Sequence, residues 1–379
     1  MKVSFGKPII NATEINKVKK VLKSGILTHG KVGAEFENRF SQFTNLKNCL
    51  TVSSCTAALY LAYKACGLKK GDEFIVPSQT HVATVNAGLE LGAKPVFIDC
   101  ELKTGNIDLD QLKKKISKKT KLISIVHFLG KPIDINKILI LKKKFNFKLV
   151  EDCALALGSK YYKKHVGYYS DFACFSFYPA KHITTGDGGM IYCKNKSDYN
   201  KVKLLRGFGV NKSFFERKIP GIYDVVDLGL NFRLSDINSA VGLGQLKKIN
   251  KFLKIIEKNF HYLKNLLSSI KKIDILNTET DNDLNIESSY YCLTIILKKS
   301  NRTKRNFIIK KLSSKGVGCS VYYPQAVPDY TYYKNKFLSG KVINSRVIAN
   351  QSISLPIAPH LSLKQLNFIA KILKTILKS

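Results

Sequence analysis

Lys181 stands between a short apolar run, residues 172–177, and the glycine-rich turn Gly186-Asp187-Gly188-Gly189. A lysine is costly to bury, so one held between a strand and a tight turn points to covalent chemistry such as a Schiff base to a carbonyl. The plainer alternative is a surface lysine in a loop, which a chain this rich in lysine also supplies. Upstream, Lys148-Leu149-Val150 ends in two carboxylates, Glu151 and Asp152. A third stretch, Thr51-Val52-Ser53-Ser54-Cys55-Thr56, runs from a strand-like end into Ala57-Ala58-Leu59. There Ser54, Cys55 and Thr56 offer hydroxyls and free backbone N–H groups to a phosphate, although the same residues also make an ordinary helix cap. An amine for a carbonyl, a carboxylate for a protonated pyridine nitrogen and a phosphate cradle are the parts of a pyridoxal phosphate site.

Those residues need a scaffold that brings strand ends together. Between Cys49 and Cys193, short apolar runs alternate with helical patterns. Strands are expected over residues 73–76, 95–99, 122–126, 148–152, 172–177 and 190–193, with helices over 57–66, 82–91 and 135–144. Such βα alternation predicts a mostly parallel or mixed sheet covered on both faces. Ligands of such sheets lie beyond the carboxyl ends of the strands, where Asp152 falls. One long helix is expected from about Ser235, its apolar face marked by Leu246, Ile249, Leu253, Ile256 and Phe260. A domain change is placed along it, dividing the chain into a large cofactor-binding domain (residues 1–250) and a small C-terminal domain (251–379). Polar Asn277 to Glu287 opens the smaller unit, followed by a strand over 292–297.

With these landmarks in place, the chain resembles the DegT-type family of pyridoxal-phosphate-dependent nucleotide-sugar aminotransferases, from about Ser24 to Pro359. The residues carrying the resemblance include Ser54-Cys55-Thr56-Ala57-Ala58-Leu59, Thr80-His81-Val82-Ala83-Thr84, His127-Phe128-Leu129-Gly130, Glu151-Asp152, the Lys181 turn and Asn231-Phe232-Arg233-Leu234-Ser235-Asp236. The resemblance implies the α/β fold of a fold-type-I aminotransferase: a large mixed or parallel sheet sandwiched by helices, plus a smaller C-terminal α+β domain. It implies that Lys181 binds the cofactor aldehyde and later carries the proton, and that Asp152 pairs with the pyridine nitrogen. Ser54, Thr56 and Ser176, with the backbone around Cys55, would hold the phosphate of pyridoxal 5'-phosphate. His81 would stack on the cofactor ring, the alternative being a helix-capping or core histidine. Asn231 would reach the phosphate of a neighbouring subunit, which implies a homodimer with shared sites. Arg233 either binds a substrate anion or pairs with Asp236 at the start of a helix.

Three positions depart from the family pattern. Leu155 stands where a polar residue usually faces the cofactor's phenolic oxygen, and it cannot donate a hydrogen bond. Asp187 replaces a glutamate in the glycine turn, and Cys55 replaces a glycine ahead of the phosphate threonine. Lys181 itself occupies the lysine position, which relatives that act as dehydratases fill with histidine; the adjacent His182 does not displace it. A lone Gly207-Phe208-Gly209 is too little for a dinucleotide site.

The 379 residues are enough for a sizeable core, with 45% hydrophobic and 24% charged residues. The net charge of +36 asks for an explanation. Only seven of the 63 basic residues are arginine, the residue that nucleic-acid readers favour, and the lysines are scattered along the chain. No specific nucleic-acid partner is therefore expected, although a positive field attracts a nucleotide-diphosphate sugar. Nine cysteines without a C-x-x-C pair read as reduced thiols in the cytoplasm, with Cys153 and Cys174 as small buried hydrophobes. The seven histidines show no metal-ligand spacing, and no apolar run approaches a membrane span. The expected activity is transfer of an amino group, with L-glutamate as donor and 2-oxoglutarate as its product, onto a nucleotide-linked keto-6-deoxyhexose. Its rivals are a cofactor-dependent sugar dehydratase and a catalytically silent regulatory protein of the same fold.

Overall fold

The computed structural model describes residues 1–212, 216–277, 285–337 and 340–378. Most of the polar run expected to open the C-terminal unit, residues 278–284, lies outside the described residues. Along the chain, α1 (Ala12–Ser24) and α2 (Lys31–Thr44) precede β1 (Cys49–Val52), α3 (Cys55–Ala65), β2 (Glu73–Pro77), α4 (Val82–Leu89) and β3 (Lys94–Ile98). Then come α5 (Leu109–Lys115), β4 (Thr120–Val126), α6 (Ile135–Lys144) and β5 (Lys148–Asp152). The short pair β6 (Lys160–Tyr161) and β7 (Lys164–His165) leads to β8 (Phe172–Ser176) and β9 (Gly189–Cys193). After α7 (Lys196–Leu205), α8 (Asp236–Leu246) and α9 (Ile249–Leu267), the C-terminal part holds β10 (Ile273–Ile275), β11 (Ile286–Glu287), β12 (Leu293–Leu297) and α10 (Arg302–Ser314). It closes with α11 (Ile343–Gln351), β13 (Ser352–Leu355) and α12 (Leu363–Lys378).

The main sheet has seven strands in the order β1-β9-β8-β5-β4-β2-β3. Neighbours from β3 through β8 pair in parallel, and β9 alone runs against the rest, pairing antiparallel with both β8 and β1. This is the mixed sheet that the βα alternation predicts. Its central strands read as nearly unbroken apolar runs because helices cover both faces; in β4, Leu122 to Val126 are all buried. Full burial of side chains such as Phe172 and Phe175 stabilises the fold by about 1.5–3 kcal/mol each. A second, antiparallel sheet, β10-β12-β13, packs with α9, α10 and α12 around a separate apolar cluster. Val3 from the N-terminus joins that cluster and bridges to Val317.

The single long helix expected after Ser235 is in fact two, α8 and α9. The break coincides with Lys248, whose ammonium reaches the buried Glu14 carboxylate at 2.6 Å and the Ile9 carbonyl at 2.9 Å. α8 packs on α1 and α2, whereas α9 turns its Ile256, Phe260 and Leu263 into the C-terminal cluster. Among the described residues, no helix is long and apolar enough to cross a membrane.

Candidate active site

Five strand ends, those of β1, β2, β4, β5 and β8, converge on one cavity of about 490 Å³. Its floor is Asp152, the last residue of β5, which is 4% exposed. The carboxylate accepts hydrogen bonds from the Thr84 hydroxyl at 2.7 Å and from the Ala154 N–H at 3.0 Å. Thr84 is in turn oriented by Thr80, 2.8 Å away. Among the described residues Asp152 forms no ion pair, so a buried negative charge is left facing the cavity. Burial of an uncompensated charge costs several kcal/mol, which a cation brought by a ligand would offset.

Lys181 enters the cavity from the turn after β8, adjacent to β5 in the sheet. Its backbone N–H is tied to the Tyr178 carbonyl at 2.9 Å. Burial lowers the pKa of its amine below the usual lysine value, opposed by Cys55, Asp152 and Cys292. An amine that loses its proton more readily suits a nucleophile for a carbonyl. The turn that follows needs its glycines. Gly188 adopts φ +151°, and a Cβ there would meet Thr185 Oγ1 at 2.3 Å. A Cβ on Gly189 would strike the backbone of Ser54 and Phe175 at 2.7 Å, so only glycine lets β9 approach the start of α3 this closely.

That start forms another cavity wall. Ser54 caps α3, its hydroxyl accepting from the Ala57 N–H at 3.1 Å. The first N–H groups of a helix have no partner within it, so those of Cys55 and Thr56 are available to an anion, with the helix dipole in support. Ser54, Cys55, Thr56 and Ser176 all line the cavity. Burial raises the Cys55 thiol well above its ordinary pKa, with Asp152 adding to the effect, so Cys55 is no thiolate nucleophile.

His81 caps a helix, the alternative expected of it, and also presents its ring to the cavity. Its Nδ1 accepts from the Ala83 N–H at 3.2 Å, capping α4, while its ring lines the cavity and meets Tyr323 edge-on, 5.7 Å between centroids. Loss of surrounding water lowers its pKa; Asp152 opposes this and Lys181 adds to it. Leu155 is buried in the wall and offers no donor, and Asp187 stands at the rim.

Asn231 does not line this cavity. It is exposed, bridges to Gly207, and accepts from the Arg233 N–H at 3.3 Å. The pairing of Arg233 with Asp236 is likewise not formed. Asp236 is taken up by the Gly33 N–H at 2.9 Å, and the Arg233 guanidinium lies over the Phe208 ring, 5.1 Å from its centroid. Arg233 instead lines a second cavity of about 520 Å³ together with Arg206, Arg217, Lys203 and His29.

Three tyrosines that sequence reasoning missed, Tyr291, Tyr322 and Tyr323, complete the roof of the Lys181 cavity. They come from the C-terminal part of the chain, and their paired spelling (Tyr290-Tyr291, Tyr322-Tyr323) is the one signal that could have drawn attention to them. His127, Glu151 and Cys153 cluster behind the floor. The imidazole is already engaged there: Nδ1 accepts from the Ile133 N–H at 3.2 Å, so Nε2–H donates to Glu151 at 2.6 Å.

Residues 8–374 match the model of the DegT/DnrJ/EryC1/StrS aminotransferase family. The chain belongs to that family. It is 32% identical, over 99% of its length and 98% of the relative's, to a UDP-4-amino-4,6-dideoxy-N-acetyl-beta-L-altrosamine transaminase of Campylobacter jejuni subsp. jejuni serotype O:23/36. A GDP-perosamine synthase of Escherichia coli O157:H7 is also 32% identical, with 96% of this chain and 95% of that one covered. The structure of a Helicobacter pylori aminotransferase involved in the biosynthesis of pseudoaminic acid superposes with a TM-score of 0.93 at 29% identity, covering all of both chains. A Streptococcus pneumoniae protein solved in a PLP-form superposes with a TM-score of 0.91 at 28% identity, covering 100% of this chain and 99% of that one. The fold is thus that of the fold-type-I aminotransferases, the protein is an aminotransferase, and its cofactor is pyridoxal phosphate. The site fits that group: an unpaired buried carboxylate for a ring cation, a helix start for a phosphate and a lysine for an aldehyde.

Proposed function

We propose that this aminotransferase transfers an amino group from L-glutamate to a keto carbon of a nucleotide-linked 6-deoxyhexose, acting as a two-fold dimer whose subunits share each site. The product would feed a surface polysaccharide or glycan. Bound in the Lys181 cavity, pyridoxal phosphate supplies an aldehyde for amines and a ring that takes up the electron pair released at a substrate carbon. Asp152 holds the positive charge on the ring nitrogen, while Lys181 Nζ takes and returns a proton at the reacting carbon. Ser54, Thr56, Ser176 and the start of α3 hold the phosphate, and His81 covers the ring.

The observation that carries the sugar-nucleotide reading is the second cavity. The Arg206, Arg217 and Arg233 side chains line one space, and only Arg206 has a carboxylate partner among the described residues, Glu37 at 2.9 Å. Burial, reinforced by Arg206, lowers the Arg233 pKa, as expected where an anion is wanted. A diphosphate would satisfy these donors. The relatives named for UDP- and GDP-linked sugars favour the same class. The dimer reading is supported by the segment before Asn231. Ile219, Ile222, Val225, Val226 and Leu228 are each more than half exposed, an apolar surface that a second copy would cover. The dehydratase alternative loses ground because Lys181 is present and the buried His182 donates from Nε2 to the Ser289 carbonyl at 3.1 Å. The silent alternative loses ground because Lys181, Asp152 and the start of α3 meet in one cavity.

The test is a panel of UDP- and GDP-linked 3-keto and 4-keto-6-deoxyhexoses offered to the purified protein with L-glutamate. Mass spectrometry is expected to show amination of one of them and release of 2-oxoglutarate. If the protein deaminates glutamate yet aminates none of the panel, the substrate proposal is wrong.

A further inference from the structure

Lys181 has a neighbour whose placement the rest of the site does not explain. The Lys181 Nζ lies 5.3 Å from the centroid of the Tyr291 ring, within the range at which an ammonium is held by a ring face. Tyr291 is half-buried and lines the cavity, so it is not simply a core aromatic.

Its position is fixed from several sides. The segment from Ser288 to Tyr291 is tied to the turn after β4: Ser289 N–H donates to the Gly130 carbonyl at 3.2 Å, and Tyr291 N–H to the Leu129 carbonyl at 3.1 Å. The Ser159 hydroxyl lies 2.9 Å from that of Ser289. The Ser289 carbonyl accepts from Nε2 of His182, the residue next to Lys181. Burial holds the His182 pKa near 4, so the imidazole is neutral and Nε2 carries the hydrogen. Tyr290 takes φ +48° and sends its ring onto Phe260 of α9, 4.4 Å between centroids, which turns Tyr291 the opposite way. At the far end, the Tyr291 hydroxyl is 3.0 Å from that of Tyr322, and the two rings stand perpendicular.

We propose that Tyr291 is a positioning residue for Lys181: its ring face is the seat of the Lys181 ammonium whenever that amine is not bonded to a carbonyl. Lysine has several rotatable bonds, and confining it costs side-chain entropy. A ring face restricts the ammonium without accepting its proton, so the charged group is held close to the floor and still able to react. The other titratable groups facing Lys181 are Asp152 from β5, Cys55 from α3 and Cys292 beside Tyr291; His182 follows it in the turn, and His81, Tyr178, Asp187, Tyr322 and Tyr323 also line the cavity. A face that favours the charged form raises the amine's pKa, so its removal lowers it.

The inference rests on Lys181 being the cofactor lysine, and the experiment separates the two claims. The full chain is prepared with and without pyridoxal phosphate, and acetylation of Lys181 by acetic anhydride is followed against pH by peptide mass spectrometry. Cofactor is expected to protect Lys181; absence of protection would overturn the lysine assignment itself. In the cofactor-free chain, Tyr291→Leu is expected to lower the Lys181 pKa by about half a unit or more. Tyr291→Phe keeps the face and is expected to leave the pKa within about 0.2 unit of wild type. With cofactor, Tyr291→Leu is expected to lower kcat several-fold with the KM for glutamate within twofold. Should the leucine variant fail to fold, Tyr291→Met carries the same expectation. An unchanged pKa on loss of the ring, or an equal fall in the phenylalanine variant, would overturn the proposal.

Discussion

Two cavities of similar volume, about 490 and 520 Å³, differ in how their charges are arranged. In the first, Asp152 is buried without a cation, and Lys181 approaches over the same floor with an amine that burial has made less basic. In the second, guanidinium groups gather, and two of the three have no carboxylate partner among the described residues. Arg217 stacks on Tyr223 at 4.4 Å and its Nε has no hydrogen-bond partner. The first cavity therefore calls for a ligand with a cationic ring and an aldehyde, the second for an anion. The comparison separates chemistry from binding, and each side can be broken alone.

The largest effect is expected at the amine. Lys181→Ala or Lys181→Arg should lower kcat by about three orders of magnitude or more, because one group both binds the aldehyde and moves the proton. Circular dichroism and size-exclusion profiles should stay unchanged. Residual turnover within tenfold of wild type would sink the assignment.

Next comes the floor. Asp152→Asn keeps the shape and the contact with Thr84 but removes the charge that holds the ring nitrogen protonated. We expect kcat to fall by about two to three orders of magnitude while cofactor affinity changes far less. If titration showed the reverse, with affinity lost and rate kept, Asp152 would be a binding carboxylate only.

These two residues were legible in the sequence because their placement is local. A strand fully covered on both faces must be apolar until it ends, so the polar residue at its carboxyl end announces itself. For the same reason β4, β5 and β8 were foreseeable to within two residues. Tyr291, Tyr322 and Tyr323 were not legible, because they reach Lys181 from segments more than a hundred residues away and their role exists only after the C-terminal sheet has docked. The break between α8 and α9 was hidden too: the apolar spacing continues through it, and it falls where Lys248 meets the distant Glu14. Arg233 misled for a similar reason. A partner three residues away looks available, yet the Asp236 carboxylate is buried against the turn at Gly30 to Gly33, where its Oδ1 accepts from the Gly33 N–H.

A sharper test joins the two regions. In the proposed dimer, Asn231 of one subunit contributes to the phosphate site of the other. Asn231→Asp sets a carboxylate against the phosphate, a like-charge contact that should cripple the variant. Mixing it with Lys181→Ala and allowing subunit exchange leaves one intact site in each mixed dimer. Random pairing then restores about a quarter of wild-type activity. If exchange is confirmed by native mass spectrometry and no activity returns, the shared site is excluded.

The smallest effect is expected in the arginine cavity, where it also discriminates best. Arg233 has no carboxylate partner, so Arg233→Met removes a donor without orphaning an acid. A charge-assisted hydrogen bond contributes about 1.5–3 kcal/mol, and solvent at this half-buried site reduces that to roughly a tenfold rise in KM for the nucleotide sugar. The kcat and the KM for glutamate should stay within about twofold. Raising salt from low to physiological levels should weaken wild-type binding more than that of the variant, because one charge contact is already gone. Arg206 predicts the contrary outcome: it is paired with Glu37 and donates to the Thr51 carbonyl at 2.7 Å. Arg206→Met strands that carboxylate against β1, so the loss should appear as a lower melting temperature rather than as a selective rise in KM. If both variants unfolded alike, or if both changed only KM, the distinction between a structural and a ligand-seeking arginine in this cavity would fail.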